Sequence, residues 1–130
     1  MADQQADSGD RITLTLPANT AYAALGRTAT LAAGTRADLP TTTLAALALA
    51  VDETMVLLLG AAHGDPDATV VVGLGVHDRR MSVDITCTGA GAALVGDTAA
   101  VERFGLLVDG TVQHWSVDPA TGTVHLDITG

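Results

Sequence analysis

Asp52 and Glu53, two adjacent carboxylates, sit in the middle of LALAVDETMVLLLG (residues 47–60), where apolar residues otherwise recur at helical spacing. On a helix Glu53 lines up with Leu49, Leu57, Ala50 and Val56, an apolar flank rather than a polar stripe. From spacing alone, one of the two acids is expected to snorkel, to cap a neighbouring group, or to pair with an arginine of the preceding helix. The other candidates for chemistry are sparser. His63, His77, His114 and His125 share no ligand spacing, so they do not read as a metal site. Ser82 and Ser116 lack the His and Asp pattern that would mark a nucleophile. Cys87 falls on the inward parity of a strand with no cation nearby and reads as an inert core thiol. HDRR (77–80) reads as a solvated polar turn, and TGAG (88–91) supplies a lone G-x-G, Gly89 and Gly91.

The elements that must position these residues follow from periodicity. RITLTLP (11–17) alternates Ile12, Leu14 and Leu16 with polar neighbours, a half-buried strand ended by Pro17. Asn19 or Thr20 can cap a first helix through about Ala33, with Gly34 as its stop. After the linker TRADLP, Thr41, Thr42 and Thr43 offer caps for a second helix, whose Leu44, Leu47, Val51, Met55 and Leu58 run on to Gly60. AAHGDPD breaks the chain, and strands around Val70–Val76 and Met81–Cys87 form a hairpin across HDRR. TGAGAALVG (88–96) reads as a loop, and Asp97 can cap a third helix through about Val108. TVQHWSV and TVHLDIT close the chain as a hairpin around DPATG. Pairing Val117 with Val124 places Trp115, Val117, Val124, Leu126 and Ile128 on one face, with His114 opposite Asp127 on the other.

The expected fold is an α/β two-layer sandwich of the α+β class: a mostly antiparallel five-stranded sheet covered on one face by three helices. Residues 1–10 read as a disordered tail and 11–130 as a single domain.

Composition narrows the function. The chain has 130 residues, a formal charge of −9 and six cationic residues, Arg11, Arg27, Arg36, Arg79, Arg80 and Arg103. An acidic surface repels phosphate backbones, and a chain with one Trp, one Tyr and one Phe has no aromatic platform for bases, so nucleic acid is not an expected partner. A single cysteine makes no internal disulfide, and the polar start MADQQADSGD is unlike a signal peptide, which points to the cytoplasm. Residues 44–62 are oily enough to suggest a membrane span. Placing a residue such as Asp52 at the bilayer centre costs about 2.5–3.5 kcal/mol, which argues against one.

Taken together, the element order, the string LAVDE (49–53) with TGAG after the third strand, and the late LVDGTVQ (107–113) resemble the anti-sigma-factor branch of the GHKL ATPase superfamily. These are serine-protein-kinase-like regulators of bacterial sigma factors with a histidine-kinase-like (Bergerat) fold, and the resemblance spans roughly residues 11–129. It implies that Glu53 matches the general base of the family's E-x-x-x-N box, which acts on a seryl hydroxyl. The magnesium-binding Asn of that box is Leu57 here, and a methyl-tipped side chain offers no oxygen to a hard cation. In the family's D-x-G-x-G, an Asp recognises adenine; counting back from Gly89 and Gly91, Cys87 stands in its place, and a thiol is a poor acceptor beside a carboxylate. GAALVGDTAAVERFG also lacks the family's later glycine-rich box. The resemblance thus implies a degenerate site with Glu53 as a vestigial base and Cys87, Gly89 and Gly91 as remnants of nucleotide binding. No cofactor is expected and phosphoryl transfer would lack its positioning metal. Leu57 and Cys87 are expected around a common hollow. Implied partners are a sigma factor and a STAS-type anti-anti-sigma protein, with Arg27 on a partner-binding helix and RITLTLP as a possible edge for a homodimer. The alternative is an active kinase using ATP with magnesium on a STAS protein, with Glu53 as base. Simple pairing of Asp52 or Glu53 with a first-helix arginine stays open beside both.

Overall fold

The computed structural model describes residues 9–130. The strands are β1 (Asp10–Pro17), β2 (Thr69–His77), β3 (Arg80–Cys87), β4 (His114–Asp118) and β5 (Thr123–Thr129). The helices are α1 (Thr20–Arg36), α2 (Thr41–Ala61), α3 (Gly91–Gly96) and α4 (Thr98–Val108). The strands form one sheet in the order β1-β2-β3-β5-β4, antiparallel at every pairing. The chain is thus an α+β protein whose helices cover one face of the sheet. The expected registers are present, with Val117 opposite Val124 and His114 opposite Asp127.

The core lies between the layers. Met81, Val83, Ile85 and Cys87 of β3 are buried, as are Val70, Val72, Leu74 and Val76 of β2 and Val124, Leu126 and Ile128 of β5. Each such side chain stabilises the fold by roughly 1.5–3 kcal/mol when fully removed from water. α2 supplies Leu47, Ala50, Val51, Met55, Leu57 and Leu58 from the opposite layer. At 21 residues and a mean hydropathy of 1.9 it is long and apolar enough to cross a membrane, but here its apolar stripe is packed against the sheet and α1. At the edge, Phe104 of α4 meets Trp115 of β4 edge-on, ring centroids 5.7 Å apart.

Five expectations are corrected. α1 does not stop at Gly34. It runs to Arg36, because Gly34 is a packing position where a Cβ would lie 2.6 Å from Leu44 Cδ2, and the turn is made instead by Asp38 at φ 60°. No threonine caps α2: Pro40 holds the cap position and Thr41, Thr42 and Thr43 are in the first turn. The stretch expected as a loop, 88–96, contains α3, anchored by buried Leu94, so four helices rather than three are present among the described residues. The turn of the first hairpin shortens to Asp78–Arg79, since His77 and Arg80 pair. Asp10, expected in the tail, pairs with Val76 in β1, while residues 1–8 of that tail lie outside the described residues. The caps of α1 and α4 are as expected, Asn19 Oδ1 accepting from the Ala21 N–H at 2.9 Å and Asp97 Oδ1 from the Ala100 N–H at 3.0 Å.

Candidate functional site

The carboxylates of α2 part company. Asp52 is exposed and faces Arg27 of α1, Nε to Oδ1 3.6 Å, with 45% and 52% of the side chains in solvent. A pair this exposed contributes roughly 0–1 kcal/mol. Pairing with a first-helix arginine is therefore realised by Asp52 and not by Glu53. Glu53 is half-buried and makes no hydrogen bond or ion pair with another described residue. Arg27 is exposed, tethered only to Asp52.

Leu57, one turn on, lines a groove of about 290 Å³ between α2, α3 and α4. Val56, Gly60 and Ala61 share its α2 wall; Ala93 and Leu94 come from α3, and Ala100 and Arg103 from α4, with Asp97 at the junction. Leu57 is 8% exposed, so it presents only a small apolar surface to the groove. The one carboxylate in the lining, Asp97, is already engaged as the cap of α4. A magnesium ion needs several oxygen ligands, so these residues do not fit a metal–nucleotide complex.

Cys87, Gly89 and Gly91 are not among the residues lining that groove. Cys87 is fully buried, as its inward parity requires; burial pushes the thiol up, and the charge of Asp65 adds to the effect. Gly89 takes φ +82° and turns the chain beside the Asp65 carboxylate. A Cβ on Gly91 would lie 2.8 Å from the Ala120 carbonyl oxygen and 3.1 Å from that of Pro119. The Cys87 N–H donates to the Gly122 carbonyl at 2.9 Å. Gly91 therefore serves close packing of the 88–91 turn on the β4–β5 turn, while Gly89 packs beside Asp65 and Ala68. The expected common hollow around positions 57 and 87 is not formed by these lining residues.

The open face of the sheet carries an arrangement that sequence reasoning missed. The ring of His125 on β5 is bracketed by Asp84 of β3, which meets Nδ1, and by Asp127, whose Oδ2 is 3.0 Å from Nε2. Partial burial favours the neutral ring, but hydrogen bonds donated by the ring to Asp84 and Asp127, reinforced by their charges, outweigh it and raise the pKa. From sequence, His125 takes no role beyond its exclusion from a metal site. The spacing H-x-D on one strand face was the available signal, but the decisive contact needs the β3–β5 register that sets Asp84 opposite His125. With both ring nitrogens committed to carboxylates, His125 has no nitrogen free to deprotonate Ser116, its cross-strand neighbour on β4. The arrangement is therefore a clasp rather than a nucleophilic triad.

No family model matches the chain, and no curated protein matches it.

Proposed function

We propose that the chain is a regulatory protein-binding module of the anti-sigma-factor kind, which sequesters a sigma factor by surface contact and is released by a STAS-type antagonist. In this reading its fold is a degenerate histidine-kinase-like ATPase fold and its nucleotide site no longer works. The observation that carries the reading is the state of α2: Glu53 is retained without a partner, one turn before a buried Leu57 at the position where the resembled family holds magnesium. The order of strands and helices, antiparallel sheet on one side and helices on the other, agrees with the resemblance. A docking surface is also at hand. Tyr22 and Leu25, 42% and 51% exposed and three residues apart, share one side of α1, and Arg27 projects from another side of the same helix, an aromatic and a guanidinium of the kinds that anchor protein interfaces.

The test is retention of purified sigma factors by the immobilised chain, with and without a STAS protein as competitor. Stoichiometric capture, weakened by Arg27→Ala and by Leu25→Ser, supports the proposal; no capture of any sigma factor removes it. Calorimetry with magnesium and ATP should show no heat of binding. The freedom of Glu53 leaves one rival, a serine kinase with an unusual pocket. Transfer of labelled phosphate to a STAS protein, abolished by Glu53→Ala, would replace the proposal with that rival.

A further inference from the structure

We propose that the end of the molecule formed by the β2–β3 turn, the last turn of α1 and the start of β1 docks a carboxylate-rich segment of another protein, independently of the function proposed above. Four of the six arginines gather there. Arg79 and Arg80 form and follow the turn, and Arg36 shares a hollow of about 270 Å³ with Asp10, His77 and Asp78. Arg11 enters from β1 opposite Gly75, its Nη1 3.7 Å from where a Cβ on that glycine would stand. His77 lines both this hollow and a second one of about 380 Å³ that also contains Arg80, Gln113, Thr129 and the carboxylate of Asp127, itself held by His125.

None of the four guanidinium groups forms an ion pair with another described residue, although the chain carries fifteen carboxylates. With Asp10, Asp38, Asp78 and Asp127 counted in, the four arginines bring this end to a formal charge of 0, against −9 for the remainder of the chain. Guanidinium groups left without internal ion pairs keep their donors open to an external anion, and their planar forks suit carboxylates taken two oxygens at a time.

Backbone geometry is a separate observation at the same place. Asp38 and Arg79, at φ 60° and 61°, are the non-glycine residues in the left-handed region among those described. They lie next to each other through Ala37, whose carbonyl accepts from the Arg79 N–H at 2.7 Å, while the Arg79 carbonyl accepts from the Gly130 N–H at 2.9 Å. Tight turns fill such a position with Gly or Asn, so an arginine there is held at a conformational cost and its guanidinium starts from a fixed base. The interleaved aspartates decide the class of anion. Asp10, Asp38 and Asp78 would stand against a continuous polyphosphate, whereas separated carboxylates on a peptide can be threaded between them.

Fluorescence anisotropy of a fluorescein-labelled peptide of alternating glutamate and serine, titrated with the full chain, tests this. Binding that weakens as salt rises is expected. The double variant R79G/R80S should bind about tenfold more weakly while melting no lower than the parent, because glycine relieves the turn. Asp78→Asn should tighten binding, and Asp67→Asn, the same change in net charge beyond the far end of β2, should not. Absence of binding, full retention by R79G/R80S, equal gains from D78N and D67N, or tighter binding of an oligothymidylate of matched charge would each overturn the proposal.

Discussion

His125 has an acceptor at each ring nitrogen, so only the doubly protonated ring satisfies both Asp84 and Asp127. On deprotonation one carboxylate loses its donor and faces a lone pair instead. Because the pKa is raised in the folded chain above its ordinary 6.5, the stabilisation is complete below about that pH and is lost as pH rises through the folded value. Urea denaturation followed across neutral pH should therefore show stability falling as the pH is raised, by up to about 1 kcal/mol given the half-exposed site. His125→Gln should flatten that dependence, and Asp84→Asn should move the imidazole titration seen by NMR to lower pH. Leu57 poses the complementary case. Replacing it with Asn supplies a side-chain oxygen but removes a buried aliphatic and buries an amide, a loss of roughly 2–4 kcal/mol. The variant should melt lower and gain no heat of binding with magnesium and ATP, since Cys87 and the packed 88–91 turn are unchanged.

At the scale of elements, the β2–β3 turn makes the clearest case. Its Arg79 sits at φ 61°, where an L side chain costs about 1–2 kcal/mol that glycine does not incur, partly offset by glycine's extra freedom when unfolded. Arg79→Gly alone should thus raise stability by up to about 1 kcal/mol, read as an upward shift in thermal midpoint. What was legible in the sequence follows the same physics of local geometry. Strand faces were readable because Met81, Val83, Ile85 and Cys87 alternate with Ser82, Asp84 and Thr86, and the last hairpin because Val117 and Val124 fix its register. The α3 turn was not, since GAALVG has a glycine at either end and becomes helical through burial of Leu94 between α2 and α4. Gly34 misled for a similar reason: a glycine that ends a helix and one that lets a neighbouring helix approach are identical in sequence. The contact of Asp84 with His125 was out of reach because α3, α4 and β4 intervene in the chain between β3 and β5. In the candidate site the apolar Leu57 and the inward Cys87 could be read off directly, but that Leu57 lines the α2–α3–α4 groove and Cys87 does not could not, because α3 was not foreseen.

At the scale of the whole molecule, charge sets two opposite responses to salt. The chain holds fifteen acidic and six basic side chains, yet the described residues form a single Arg–Asp ion pair, Arg27 with Asp52, besides the His125 clasp. Self-repulsion among unpaired carboxylates therefore exceeds the attraction that screening would remove. Screening acts over roughly 10 Å at moderate ionic strength, which covers most carboxylate neighbours on a domain of this size. The thermal midpoint should rise as sodium chloride is added from a low-salt buffer, and a falling midpoint would show that favourable pairs outweigh the repulsion. Capture of the acidic peptide at the arginine end should weaken over the same salt range, because that contact is attractive. Opposite slopes from one protein in one titration are the signature of an acidic body whose arginines gather at one end, and R79G/R80S should shallow the second slope, Arg11 and Arg36 being retained, while leaving the first in place.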